Sequence, residues 1–495
     1  MSGALTLVDK SAAEPIQAQL RRSLITAIQS GRLSPGQRMM PSRQLAQQVG
    51  IARNTVTLVY DELVARGYLE PVPRKGYFVA EVREAGARTA AVAPGQRPNW
   101  NAKLRQRPAR LRHIVKPSNW QDYAYPFIYG QVDPKLFPYN IWRACSRDAL
   151  GRGAIDWWSA DRAVDDDPML VEEIRNHILP EKGIYAEPDE ILITLGIQHG
   201  IYLLGQLLVR PGARVGVETP GYPDARHIFD AAGAELVEMA VDEDGARMDH
   251  PGPLDVMMIT PTHQCPTMVT MSAARREEVL ARARADDAIV IEDDYEGETT
   301  FTEGLTSLKS ADRDGRVAYL GTLSKVLAPG VRLGFMVADR TLVAEARWLR
   351  RLINRSAPLN NQRTAAIFLA EGHYLGLIRT IRSAHAARWK VLAEGVDRHL
   401  PGFRRSAGTG GSSVWLECPP EVEAGALAAR AAELGVLVES GDPFVRPQER
   451  GRFIRLGLAY IDEGLIDAGL RRIAEAARDV AGRPAAPPPL APLEA

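Results

Sequence analysis

Between residues 120 and 480 the chain repeats one pattern: a short apolar, often β-branched run, then a longer amphipathic stretch. The runs include ILIT (191–194), RVGVE (214–218), DVMMIT (255–260), AIVIEDDY (288–295) and VAYLGT (317–322). Runs this short and this apolar read as strands buried on both faces. Helical stretches lie between most of them. That alternation predicts an α/β region with a mostly parallel sheet and helices on both of its faces.

The chain has 495 residues, more than one ordinary domain needs, so a small domain is expected ahead of the large one. The formal net charge of zero hides an asymmetry. Residues 1–80 carry +5, residues 81–120 carry +7, and the remainder carries −12. A basic front end on an acidic body points to a polyanion as partner of the front end, or else to a solvated basic linker. Residues 81–118, with AGARTAAVAPGQRPNW, have no apolar period and read as a basic, flexible linker. Residues 119–480 then form the large domain, and 481–495 (GRPAAPPPLAPLEA within it) a disordered tail. Cys145, Cys265 and Cys418 are scattered without a C-x-x-C pair, which argues against a disulfide framework and a zinc site. No signal core and no apolar run long enough for a membrane span occur, so a cytoplasmic protein is expected.

Residues 12–80 carry a second pattern. Ile16, Leu20, Leu24 and Ile28 recur every fourth position, one face of a helix. PSRQLAQQVG reads as a short helix capped by Ser42 and closed by Gly50. IARNTVTLVYDELVARG reads as another, with Val56, Val59, Tyr60, Leu63 and Val64 inward and Gly67 at its end. Two helices joined by a tight glycine turn make a helix-turn-helix. The second opens with Arg53, Asn54, Thr55 and Thr57, donors and small polar groups suited to base edges in a major groove. GYLEPVPRKGYFVA then reads as a two-stranded wing with Arg74, Lys75 and Gly76 at its tip, suited to phosphate contact. Spacing alone also admits a helical protein-interaction module. The segment LRRSLITAIQSGRLSPGQRMMPSRQLAQQVGIARNTVTLVYDELVARGYLE resembles the GntR-type winged-helix domain. That resemblance implies a double-stranded DNA operator as partner and Arg43, Arg53, Asn54 and Thr55 as contacts.

In the large region, five strand ends carry chemistry. In GTLSKVLAPGVRLGF (321–335) Lys325 is placed where a buried amine forms a Schiff base, with Thr322, Ser324 and Arg332 able to hold a phosphate. Asp293 and Tyr295 in IEDDYEG point to one side of an extended chain, and a carboxylate there suits a protonated pyridine nitrogen. Gly196, Ile197 and Gln198 open a helix after a strand, a phosphate site by its free N–H groups. Tyr222 in VETPGYP can lie flat on a planar ring. His263 and Gln264 in TPTHQCPT can reach a phenolate oxygen on that ring. Alone, each has a plainer reading: a surface lysine, an acidic strand end, a core aromatic, a structural histidine. No further ligand set surrounds Asp293, so no metal is expected.

Together these segments resemble the fold-type I, class I/II aminotransferases, which use pyridoxal 5′-phosphate (PLP). The resemblance implies Lys325 as the internal aldimine lysine, Asp293 on the pyridine nitrogen, Tyr295 on the ring O3′ and Tyr222 stacked on the ring. It also implies Gly196, Ile197, Gln198, Thr322, Ser324 and Arg332 around the phosphate. FIRLGLAY (453–460) matches the segment whose arginine, here Arg455, binds a substrate carboxylate.

A GntR-like head before an aminotransferase-like body is similar to the MocR regulators. That resemblance implies a homodimer with swapped domains and a small amino effector sensed as an external aldimine. Met268 departs from the family's H-Q-x-P-T-G, and the glycine common before its Leu-Arg pair is absent from AVDDDPMLVEE. Asp224 stands where the γ-aminobutyrate-sensing type has an arginine, so a different amino acid, an amino sulfonate such as taurine, or a diamino acid is the expected effector. The rival reading is a working aminotransferase with a vestigial head. A repressor without cofactor leaves Lys325, Asp293 and Arg332 unexplained.

Overall fold

The computed structural model describes residues 8–9, 12, 14–80, 98–162, 164–300, 306–408 and 410–482. The expected tail beyond residue 482 and the linker residues 81–97 lie outside these. The chain divides into two compact units, Met1–Arg105 and Gln106–Ala495.

In the first unit α1 (Ile16–Gln29), α2 (Ser42–Val49) and α3 (Arg53–Ala65) precede β1 (Leu69–Val72) and β2 (Gly76–Val79). Leu20, Leu24, Leu45, Val56, Val59, Tyr60 and Leu63 close one core, each worth about 1.5–3 kcal/mol for a large side chain taken out of water. Val64 is only partly buried against it. Gly50 ends α2 at φ 68°, the left-handed turn that the tight corner into α3 requires. Ser42 is not the cap: Pro41 holds that position, Ser42 is the first helical residue, and no side chain caps the helix. β1 and β2 pair antiparallel from Leu69–Val79 to Val72–Gly76. The short stretch before α2 extends this wing, with Arg38 bridged to Phe78.

The second unit is built on an eight-stranded sheet. Its spatial order is Ile191–Thr194, Gly334–Val337, Val317–Thr322, Ile289–Asp294, Val256–Ile259, Arg214–Thr219, Glu235–Asp242 and Gly245–Ala246. The run from Val317–Thr322 to Glu235–Asp242 is parallel throughout. Gly334–Val337 is antiparallel to both neighbours. The strands Ile191–Thr194, Val256–Ile259 and Val317–Thr322 are buried at every position, which explains their unbroken apolar sequence. A smaller antiparallel sheet orders Arg404–Arg405, Ser413–Glu417, Phe453–Gly457 and Glu439–Ser440.

Charged groups also pin the large core. Arg350, wholly buried, pairs with Asp166 and donates to the Ile193 and Val164 carbonyls. Arg347 joins the same carboxylate at 2.7 Å. Residues 106–118 were expected within the linker, but they belong to the second unit. There Gln106 donates to the Ala231 carbonyl and Lys116 to the Tyr129 carbonyl. Among the described residues no helix is long and apolar enough to cross a membrane.

Candidate functional site

The carboxyl ends of the parallel strands open on a cavity of about 300 Å³. Lys325, Asp293, Tyr295 and Tyr222 line it, as do Gly196, Ile197 and Gln198, Thr322, Ser324 and Arg332, and Asp224 and Arg455. Residues far apart in sequence thus meet because most lie at or just past strand ends of the large sheet, while Arg455 comes from a strand of the small antiparallel sheet.

Lys325 donates to the Tyr129 hydroxyl at 3.0 Å and sits 4.3 Å from that ring's centre. Burial lowers its pKa, Glu296 opposes that, and Arg455 adds to it. A lysine held below its usual range has more of the neutral amine needed for nucleophilic attack. Asp293 Oδ1 is buried with no hydrogen-bond partner among the described residues. Burial, then the charges of Asp294 and Glu218, push this carboxyl up to about 8. An orphaned carboxyl of this kind suits a cationic partner.

At the other side, Gly196 has φ 83° and stands before the helix Ile197–Leu208. A Cβ on Gly196 would meet the Arg332 guanidinium at 3.4 Å, and one on Gly334 would meet Gly196 Cα at 2.8 Å. The two glycines let the helix start, Arg332 and the neighbouring strand close up around free N–H groups. Arg332 Nη2 donates to the Leu195 carbonyl at 2.7 Å, and the Ser324 amide donates to Thr322 Oγ1 at 3.1 Å.

Asp224 Oδ2 accepts from the Tyr222 hydroxyl at 3.2 Å and from Gln198 Nε2 at 3.1 Å. Arg455 is engaged already: its Nε donates to Glu439 at 2.8 Å, and it lies over the Tyr129 and Phe444 rings at 4.0 and 4.6 Å. Its Nη2 makes no hydrogen bond among the described residues, although Glu439 stands 2.8 Å from it.

His263 and Gln264 do not line the cavity. Gln264 spends its amide on its own turn and on the end of the strand Arg214–Thr219, donating to Glu218, Pro220 and Cys265 and accepting from Thr267. His263 is fully buried, and its carbonyl, not its ring, accepts from Tyr295 at 2.7 Å. Sequence reasoning missed Tyr129, Ile114, Lys116, Cys265, Glu296 and Glu439. YPFIYG (125–130) has strand-like residues before a glycine and offered a signal for Tyr129. Lys116 fell in the presumed linker. Burial lowers the Lys116 ammonium to about 8, partly offset by Glu439.

In the head, Arg43, Arg53 and Asn54 are exposed, and Ser42, Thr55 and Thr57 half-buried. Thr57 Oγ1 donates to the Arg53 carbonyl, which ties it to the helix. Arg74 at φ 64° and Lys75 stand exposed at the turn between β1 and β2.

The model of aminotransferase class I and II matches residues 165–473, and that of the bacterial regulatory proteins of the gntR family matches residues 16–79. The chain belongs to both families: a gntR-type winged helix-turn-helix joined to a fold-type I aminotransferase-like domain. It is 42% identical over 468 residues to the HTH-type transcriptional regulator TauR of Rhodobacter capsulatus, covering 94% of this chain and 96% of that one. It is 29% identical to the probable rhizopine catabolism regulatory protein MocR of Rhizobium meliloti, over 80% of each chain. Among solved structures, LysN, an α-aminoadipate aminotransferase of Thermus thermophilus complexed with N-(5′-phosphopyridoxyl)-L-leucine, aligns at TM-score 0.69 and 26% identity. That alignment covers 77% of this chain and 99% of LysN. The protein is a transcriptional regulator of the MocR type.

Proposed function

We propose that this regulator holds PLP on Lys325 and reads a small amino acid or amino sulfonate by letting its amine replace the lysine on the cofactor. The observation that carries this reading is the pairing, in one cavity, of the buried Lys325 amine with the unpartnered Asp293 carboxyl. The residues fit the cofactor. Asp293 awaits a cation such as a protonated pyridine nitrogen, Tyr222 offers a ring face, and Gly196, Ile197, Gln198, Thr322, Ser324 and Arg332 offer donors to a phosphate. Tyr295 stands within the same lining. Bound there, PLP supplies an electrophilic carbon for a primary amine.

The remaining work falls to the chain. Lys325, whose pKa burial lowers, would hold the cofactor's aldehyde carbon as a neutral amine and would be released when the effector's amine takes its place. Asp224 and Arg455 flank the effector. The head, through Arg43, Arg53, Asn54 and Thr55 on its helices and Arg74 and Lys75 on its wing, binds a double-stranded operator. A homodimer with exchanged domains, working in the cytoplasm, presents two heads to two half-sites. The effector acts through its differential affinity for two arrangements of that dimer.

A second reading, an aminotransferase with a vestigial head, is favoured by the joint retention of Lys325, Asp293 and Arg455 in the cavity. One experiment separates the two. The purified, cofactor-loaded protein is titrated with a panel of small amines and followed by visible absorption and by assay for released oxo acid. A shifted, persistent band without product supports the sensor. Product with decay of the band marks a working transaminase. Lys325→Ala should abolish the effector's effect on DNA binding, and full control surviving that change overturns the reading.

A further inference from the structure

Asp224, which lines the cavity, also belongs to a cluster whose two histidines have no part in the reading above. Asp224 and His227 lie three residues apart on the helix Pro223–Ala232, so both project from one face. Against that face runs the segment 106–118, and it delivers His113. His113 Nδ1 lies 3.6 Å from Asp224 Oδ1, and His227 Nδ1 lies 3.9 Å from the same oxygen. Each of the three residues offers one donor atom, and the three lie within 4.8 Å of one another. Ligands about 2.0–2.1 Å from a tetrahedral zinc ion stand about 3.3 Å apart, so side-chain adjustments on the order of 1 Å complete the set.

The orientation of each donor argues further than proximity. His113 Nε2 lies 2.7 Å from the Pro108 carbonyl, a pure acceptor. That contact fixes the proton on Nε2 and leaves the Nδ1 lone pair facing Asp224. Asp224 Oδ2 is held by Tyr222 and Gln198, which leaves Oδ1 toward the two imidazoles. His227 Nδ1 is buried and has no hydrogen-bond partner among the described residues. Three donors turned inward, each outer atom held by a separate group or left to solvent, is the arrangement that histidine–carboxylate metal sites use.

We propose that His113, Asp224 and His227 bind one divalent transition-metal ion of the zinc class. Two imidazoles and one carboxylate suit zinc, nickel or copper rather than magnesium or calcium. Three protein ligands leave an open position for water or for a donor atom of a molecule in the cavity. The ion clamps the segment that leads in from Arg105 onto the helix after Tyr222. Through Asp224 it also shares a carboxylate with the tyrosine that faces the cofactor cavity. Metal occupancy and effector binding are thereby coupled at one carboxylate.

The test uses the untagged full-length chain, stripped by chelator and then titrated with zinc against a chromophoric chelator. The expected result is one tight site per chain, with affinity falling at least 100-fold in His113→Ala and in His227→Ala. Gln198→Ala, which removes one of the two hydrogen bonds to the outer oxygen of Asp224, should cost about tenfold. Cobalt(II) added to the unaltered protein should give the intense visible bands of a low-coordinate nitrogen–oxygen site, a readout that needs no variant to fold. Absence of a stoichiometric site, or zinc binding unchanged by both histidine variants, overturns the proposal. The titration is run with and without PLP. Loss of the PLP reading would leave zinc binding intact, so the two failures are distinguishable.

Discussion

Replacing Asp293 by Asn probes the cavity before any cofactor is added. In the cofactor-free chain burial, then Asp294 and Glu218, lift this carboxyl to about 8. In an unfolded chain an aspartate titrates near about 4. Between those values the folded state keeps a proton that the unfolded state has released. The Asp293 contribution to stability is therefore full below pH ~4, is lost at about 1.4 kcal/mol per unit as pH rises, and levels off above pH ~8. Asp293→Asn removes that slope. The unfolding free energy of the variant minus that of the unaltered protein should climb by roughly 2–3 kcal/mol between about pH 6 and pH 9, most of it below pH 8. Glu218 and Glu292, both raised to about 7 by burial, tilt the two proteins alike and largely cancel in the difference. Urea unfolding followed by tryptophan fluorescence suits the measurement, because every tryptophan except Trp100 lies in the second unit. Loaded with PLP, the unaltered protein should lose the slope, since a cation facing Asp293 holds it ionised. A pH-independent difference in the cofactor-free proteins would refute the reasoning.

Two further outcomes test the head and the large core. Arg74→Ala and Lys75→Ala at the wing tip should each lower the slope of log affinity against log salt by about 0.9 on any duplex DNA, measured by anisotropy; an unchanged slope removes the wing from the interface. Arg350→Met leaves Asp166 with Arg347 and the Ile193 amide and should cost about 3–5 kcal/mol in urea unfolding, whereas adding Asp166→Asn to it should recover part of that loss.

The parallel sheet was legible because its strands are buried on both faces and so lose the polar alternation that blurs other strands. Lys325, Asp293, Tyr222 and Arg332 were legible for a related reason: each lies at a strand end or in the loop beyond one, and strand ends converge wherever a parallel sheet forms. Lys116 in the lining, and Glu439 and His113 beside it, were not legible. Glu439 reaches Arg455 across the small antiparallel sheet, where residue 439 pairs with residue 455. That register depends on tertiary packing, with no local period to announce it. Lys116 and His113 sit in a stretch without apolar pattern, which composition assigns to a linker. Their places come from single polar contacts such as Lys116 with the Tyr129 carbonyl. His263 misled for the opposite reason. Its φ of 53° turns the chain so that its carbonyl meets Tyr295, while the ring goes into the core.

On the proposed sensor reading, the Glu439–Arg455 pair constrains an effector more than Arg455 alone would. Burial opposes the Arg455 charge, but Glu439 together with Cys265, Tyr129 and Tyr295 outweighs it, so the guanidinium stays firmly ionised. An arriving carboxylate or sulfonate does not find a free cation. It must share Arg455 through Nη2 or displace Glu439, and a buried carboxylate cannot be left without a partner cheaply. Lys116 is the cation at hand, since Glu439 already bears on its charge. An effector that takes Arg455 therefore drives Glu439 toward Lys116, on the segment that leads to the DNA-binding unit. Glu439→Gln removes the competitor and the carrier together. The concentration of amino acid or amino sulfonate that half-shifts the cofactor band should fall about tenfold, as expected for a freed charged hydrogen bond of about 1.5 kcal/mol. The effector's control of DNA binding should weaken at the same time, because no charge is left to move. Unchanged affinity would mean that the effector's anion does not meet Arg455, and tighter binding with undiminished control would mean that the signal leaves the cavity by another route.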